Sequence, residues 1–258
     1  MAQHPPTKAC IFDMDGLLIN SERIYTDVTN ELLARYNKPP LPIDIKMQMM
    51  GVPGFEATKI LLKWSGIDIS AEELYSEAGR LQKTKFPGVK EMPGTRKLID
   101  YLIERNIPIA LATSSSINNF HLKTAHLSHI FSHFEGKIVR GDDPRIPKGR
   151  GKPAPDIYLV SLDIINKERE SKNLEPLTPQ ECLVFGKYQF QRKTHIHNLS
   201  LEDSIAGVQA GKSAGMRVVW VPDPLVLEYS KEKKKDIISS IDEILFSLED
   251  FDPKKYGL

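Results

Sequence analysis

Short apolar runs alternating with amphipathic stretches constrain the fold of this chain most. The runs are Ala9-Cys10-Ile11-Phe12, Ile109-Ala110-Leu111-Ala112, Lys137-Ile138-Val139, Cys182-Leu183-Val184-Phe185 and Val218-Val219-Trp220-Val221. Between them, Thr95 to Arg105 keeps Leu98, Ile99, Leu102 and Ile103 at the i, i+3, i+4 spacing of a helix. Further helices are predicted over Asn118 to Ser128, Ala154 to Lys167 and Ser204 to Ala214. Strands apolar on both faces and separated by helices predict an α/β fold with a parallel sheet covered by helices. Ligands of such sheets collect beyond the carboxyl ends of the strands.

Residues 20–90 interrupt the alternation. They are predicted to be helical over Ser21 to Tyr36, Gly54 to Trp64 and Ala71 to Lys85. Ser70-Ala71-Glu72-Glu73 offers a capping box, read here as one residue tighter than the ideal spacing. Gly and Pro cluster at Phe86-Pro87-Gly88 and Met92-Pro93-Gly94, which suits a return hinge. The segment is a long crossover or a lid. Its start immediately after the first strand favours a lid.

Composition narrows the class. The chain has 258 residues, with 35 basic against 34 acidic side chains, so no basic excess points to nucleic acid. No apolar stretch reaches the ~20 residues of a membrane span, and residues 1–6 carry no apolar signal region. A cytoplasmic or nuclear location is expected. Cys10 and Cys182, both in strand-like runs, are expected as buried free thiols. No interface stripe stands out, so a monomer is expected.

The polar candidates follow the strands. Asp13-Met14-Asp15-Gly16 ends the first run, and side chains at i and i+2 of an extended segment point the same way. Two carboxylates held so can bind a divalent cation and share acid/base work. Thr113-Ser114-Ser115-Ser116 follows the second run. Its hydroxyls and amides either hold phosphate oxygens or cap the next helix. Lys152, in Gly151-Lys152-Pro153-Ala154-Pro155, is stiffened by the two prolines. It is either a solvated loop cation or a placed ammonium, while Lys148 and Arg150 are expected to be exposed. Glu202-Asp203-Ser204 opens a helix whose Gly207, Ala210, Gly211, Ala214 and Gly215 permit close packing. Alone, its acids read as capping groups.

Taken in order, Phe12-Asp13-Met14-Asp15-Gly16-Leu17-Leu18, Ala112-Thr113-Ser114-Ser115, Gly151-Lys152-Pro153 and Glu202-Asp203-Ser204-Ile205-Ala206-Gly207 resemble the motifs of the haloacid dehalogenase superfamily of phosphatases. The resemblance implies a Rossmann-like three-layer core over 1–19 and 91–258, with a helical cap domain, 20–90, inserted after the first strand. A narrower resemblance to the pseudouridine-5'-phosphatases of fungi and animals rests on Met50-Gly51, Glu91-Met92-Pro93-Gly94, Gly141-Asp142-Asp143-Pro144 and the ending Asp250 to Leu258. Where relatives carry Arg or Lys after the cap glycine, this chain has Val52-Pro53.

The superfamily resemblance implies a Mg2+-dependent phosphatase for a small phosphate ester. Asp13 would be the nucleophile, forming an aspartyl-phosphate, and Asp15 the acid/base. Thr113, Ser114, Ser115 and Lys152 would hold phosphate oxygens. Asp13, the backbone carbonyl of Asp15, and Asp203 would hold the metal, with Glu202 as a direct or supporting ligand. A phosphosugar mutase of the β-phosphoglucomutase type is the alternative, together with a catalytically impaired product.

That last alternative comes from residues 186–201, sixteen residues between the fourth run and Glu202. Deleting them restores Val184-Phe185-Glu202-Asp203-Ser204, the family pattern. They are a polar surface loop, a metal site using His195 and His197, or a retained intron. The intron reading is favoured because Gly-Lys-Tyr can be spelled GGT AAG TAT, which contains a 5' splice signal. Leu-Glu can be spelled TTA GAA, which ends the intron in TAG and regenerates a glutamate codon. The segment is a whole number of codons, so the frame survives.

Overall fold

The computed structural model describes residues 5–49, 54–186, 206–224, 227–228 and 238–258. Strands β1 (Ala9–Phe12), β2 (Ile109–Ala112), β3 (Ile138–Val139), β4 (Cys182–Gly186), β5 (Arg217–Trp220) and β6 (Glu243–Ile244) form one sheet in the order β3-β2-β1-β4-β5-β6. Every pairing is parallel. The chain runs outward from β1 to β3, then returns to β4 on the other side of β1. The switch in direction therefore falls between β1 and β4, where open α/β sheets place their ligands.

Both faces of the sheet are covered. Alternate residues Cys10, Phe12, Ile109, Leu111, Leu183 and Phe185 pack in one core with α5 (Thr95–Glu104) and α6 (Ile117–Thr124). Their neighbours Ala9, Ile11, Ala110, Ala112, Cys182 and Val184 pack in a second core with α8 (Asp156–Ser171) and α9 (Ala206–Ser213). The period-2 alternation of strand side chains thus separates two apolar layers. Packing of α9 is close: a Cβ on Gly211 would lie 2.9 Å from Val218 Cγ2. Cys10 and Cys182 are buried free thiols, as expected. Among the described residues no helix is long and apolar enough to cross a membrane.

The segment after β1 folds into α1 (Ser21–Arg35), α2 (Ile43–Met49), α3 (Gly54–Ser65) and α4 (Ala71–Lys85). Its two chain crossings lie side by side. Asn20 N donates to Lys90 O at 2.8 Å, and Met92 N donates to Leu18 O at 2.9 Å. Thr95 Oγ1 also donates to Leu18 O, at 3.1 Å.

Several local expectations change. The capping box at α4 has the ideal spacing: Glu73 is N3, its amide donates to Ser70 Oγ at 3.1 Å, and Ser70 N donates to its carboxylate at 2.9 Å. The predicted helix over Asn118 to Ser128 ends at Thr124 and continues as a 3-10 turn and the short α7 (Ser128–Phe131). The sequence reading missed α2 and the two-residue β6, which are too short for a periodic signal.

Gly94 shows what the second crossing requires. Its φ is +81°, and a Cβ there would lie 2.5 Å from Glu249 N. We expect Gly94→Ala to destabilise the fold by about 2 kcal/mol or more, as strained φ and a backbone clash combine. Urea denaturation of the two proteins checks this.

Candidate functional site

Asp13 directly follows β1, and its amide donates to Phe185 O at 2.9 Å, extending the ladder with β4. The side chain is therefore held at the switch point, and it is fully buried. Lys152 Nζ lies 2.9 Å from Asp13 Oδ1, and Met14 N donates to the same oxygen at 2.8 Å. Lys152 is buried too, donates to Ala112 O at 2.9 Å, and has the Tyr158 ring 5.2 Å from its ammonium. Of the two readings of this lysine, the placed ammonium is the one observed. Lys148 and Arg150 are exposed, and Arg150 pairs with Asp156 at 2.7 Å.

The other oxygen of Asp13, Oδ2, is buried without a hydrogen-bond partner among the described residues. Burial raises the Asp13 carboxyl above its ordinary range, against the pull of Lys152 and the Met14 amide. An orphaned buried acceptor is costly, and a hard cation or an electrophile would satisfy it. The residues present thus fit a divalent cation. Among the described residues no three acidic, His or Cys side chains converge on one point. Glu202 and Asp203, the acids predicted to complete such a site, lie outside the described residues, as do His195, His197, Val52 and Pro53.

Asp15 is held differently. Its Oδ1 accepts from Ser21 Oγ at 2.7 Å and from Lys123 Nζ at 2.6 Å. Its Oδ2 accepts from Ser115 Oγ at 2.8 Å and, at 3.5 Å, from Thr113 Oγ1. Burial would raise its carboxyl, but Lys123 with the hydroxyls of Ser21 and Ser115 holds it below the usual range. The tight turn after it, Gly16 at φ +71°, lets Gly16 N donate to Ile19 O at 2.7 Å.

The hydroxyl run after β2 curls against Asp15. Thr113 N continues the sheet by donating to Val139 O, and Ser115 N donates to Thr113 Oγ1 at 3.1 Å. Ser116 is the N-cap of α6 but makes no side-chain cap bond; Asp142 supplies the acceptor for Ile117 N instead, at 2.9 Å. Thr113 and Ser115 thus turn their hydroxyls toward Asp15, and Ser114 is left half-buried between them. Asp13, Asp15, Thr113, Ser114, Ser115 and Lys152 are all brought together at the carboxyl ends of β1 and β2.

Three residues escaped the sequence reading: Lys123, Ser21 and Tyr25. Lys123 is fully buried, and Tyr25 Oη accepts from it at 3.0 Å. A signal was present. Phe120, Lys123, Thr124 and Leu127 stand at i, i+3, i+4 and i+7, which puts the lysine inside the apolar stripe of its helix.

Gly141 sets the height of the hydroxyl loop. Its amide donates to Ser115 O at 3.1 Å, and a Cβ there would lie 2.3 Å from Ser114 O. We expect Gly141→Ala to displace Ser114 and Ser115 and to lower kcat by about 100-fold, the scale of a ~1 Å misplacement. Steady-state kinetics against the parent chain checks it.

Comparison with known proteins identifies the family. The haloacid dehalogenase-like hydrolase family matches residues 7–186, more than half of the chain, and stops at the first residue of the interruption. A Saccharomyces cerevisiae protein named probable pseudouridine-5'-phosphatase is 41% identical over 99% of this chain and 99% of its own. The (DL)-glycerol-3-phosphatase 2 of Arabidopsis thaliana is 39% identical over 96% of this chain and 90% of its own. A crystal structure of a HAD hydrolase of family IA, variant 3, from Entamoeba histolytica superposes with a TM-score of 0.69 at 22% identity, covering 97% of this chain and 98% of that one. With the site at the switch point and the match across both halves of the sheet, the chain belongs to the haloacid dehalogenase-like hydrolases.

Proposed function

We propose that this hydrolase is a Mg2+-dependent phosphatase of small phosphomonoesters that works through an aspartyl-phosphate on Asp13. The observation that carries the reading is the buried, unpartnered Oδ2 of Asp13 beside the Lys152 ammonium. A carboxylate oxygen without a hydrogen bond keeps its lone pairs for an electrophile. Lys152 would neutralise charge on the nucleophile and on the incoming phosphoryl group together. Thr113, Ser114 and Ser115 would hold its peripheral oxygens, so positioning and charge stabilisation supply most of the catalysis.

Asp15 would protonate the leaving oxygen and later take a proton from the attacking water. To do so it must exchange a partner, because both of its oxygens are engaged. Asp13, the backbone carbonyl of Asp15, and Asp203 would hold Mg2+, with Glu202 in support. When bound, the ion would offset the negative charge of the phosphoryl group facing Asp13. The insert, α1 to α4, would be the lid. The protein would act as a cytoplasmic or nuclear monomer with no nucleic-acid partner.

The relatives' names direct the substrate search. Pseudouridine 5'-phosphate is the first candidate and glycerol 3-phosphate the second, because relatives named for each align along most of this chain. The mutase alternative loses ground, since both of these relatives are named phosphatases. Release of inorganic phosphate without a sugar bisphosphate separates the two activities. We expect Asp13→Asn to abolish Mg2+-dependent phosphate release from a panel containing both esters. Substantial remaining activity would remove Asp13 from the nucleophile role.

The interruption at 186–201 receives its own test. We propose that it is a retained intron, a reading in keeping with the end of the family match at Gly186. Deleting the segment is expected to raise phosphate release by about 100-fold, if Asp203 is otherwise set back by ~1 Å. Sequencing of the mature transcript should show the segment spliced out. Continuous coding through it in the mature message would reject the intron.

A further inference from the structure

Lys123 is the second buried ammonium of the site, and none of the roles above uses it. Its three N–H donors all have acceptors: Asp15 Oδ1 at 2.6 Å, Tyr25 Oη at 3.0 Å and Ser115 Oγ at 3.0 Å. The rings of Tyr25 and Phe86 cover it, with centroids 5.2 and 4.8 Å from Nζ. Tyr25 lies on α1, and Phe86 opens the 3-10 turn after α4. The ammonium is therefore gripped from both ends of the helical insert. Ser21, also on α1, supplies the other hydrogen bond to Asp15 Oδ1.

A buried lysine carries a desolvation penalty that an apolar side chain of the same length avoids. Methionine would fill the same volume between the two rings. What the ammonium alone supplies is a directed donor to Asp15, with two further donors tying it to Tyr25 and Ser115. Lys152 does the equivalent for Asp13. The two carboxylates of Asp13-Met14-Asp15 thus have separate cations, one from the loop before α8 and one from α6.

We propose that Lys123 is a positioning residue that sets the Asp15 carboxyl beside Asp13, with Tyr25 and Phe86 fixing the ammonium in turn. This rests on the reading of Asp15 as proton donor to the leaving group. Asp15 takes up a proton when it exchanges one of its donors for the ester oxygen. As the P–O bond breaks, the ester oxygen keeps the bonding electron pair and receives that proton, while phosphorus bonds to Asp13. An alkoxide needs that proton. A p-nitrophenolate leaves without it. Loss of Lys123 therefore falls on alkyl esters and largely spares the aryl ester, a selectivity that loss of packing alone does not produce.

The test compares kcat/KM for p-nitrophenyl phosphate with that for the better of pseudouridine 5'-phosphate and glycerol 3-phosphate, using the full chain with Mg2+. Lys123→Met is expected to lower the alkyl value by about 100-fold or more, the scale of general acid catalysis, and the aryl value by less than ~10-fold. Tyr25→Phe keeps the ring and removes only the phenol acceptor. It should shift the ratio the same way by a few-fold, and it decides the matter if Lys123→Met shows no cooperative thermal transition. Equal losses on both esters, or an unchanged ratio in Tyr25→Phe, overturn the proposal alone. A parent chain inert toward all three esters, or an Asp13→Asn chain that still cleaves them, overturns the phosphatase reading and this proposal with it.

Discussion

Asp13 and Lys152 face each other at 2.9 Å with neither side chain open to solvent, and their surroundings answer to that pair. Breaking a buried ion pair by removing one partner costs about 3–5 kcal/mol, because the remaining charge is left unpaired. The fold meets the demand with rigid supports. Asp13 is continuous with a central strand hydrogen-bonded on both sides, and Lys152 is tied to the end of the neighbouring strand through Ala112 O. A sheet whose central strand is apolar on both faces makes such a fixed platform possible, since helices then seal both sides.

A second pair repeats the arrangement two residues along. Asp15 and Lys123 are buried as deeply, but their supports come from the helical insert as well as from the sheet. One carboxylate is therefore referenced to the sheet alone and the other to the sheet and the insert together. Their hydrogen bonding differs accordingly: Asp13 keeps one oxygen bare, while both oxygens of Asp15 are engaged. Neighbouring residues of the same chemical type thus acquire different readiness to react, through their partners rather than their own structure.

Most of this architecture was legible in the sequence, for reasons of periodicity. Buried parallel strands are unbroken apolar runs, so β1, β2, β4 and β5 stood out, and α5 announced itself by spacing. Short elements carry too few residues for a period, which hid α2 and β6. Asp13, Asp15 and Thr113 were readable because each follows a strand, and Lys152 only through its company with those motifs. Lys123 was passed over despite its place in the apolar stripe, because a lysine in a helix usually reads as solvated. Its partners Tyr25 and Asp15 stand 98 and 108 residues away along the chain, a relation that only the folded topology reveals. Ser115 was read as a phosphate contact from its place after a strand; that its hydroxyl also engages Asp15 and Lys123 is a relation between distant segments that the sequence does not carry.

The paired crossings at Leu18–Asn20 and Lys90–Met92 carry one more implication. Two backbones bonded side by side form a short antiparallel ribbon, so the chain leaves the sheet for the helices and rejoins it at one place. The insert also docks through Ser21, Tyr25 and Phe86, which meet Asp15 and Lys123. A change of length between α1 and α4 therefore leaves the ribbon and Asp13 in place so long as Ser21, Tyr25 and Phe86 keep their positions.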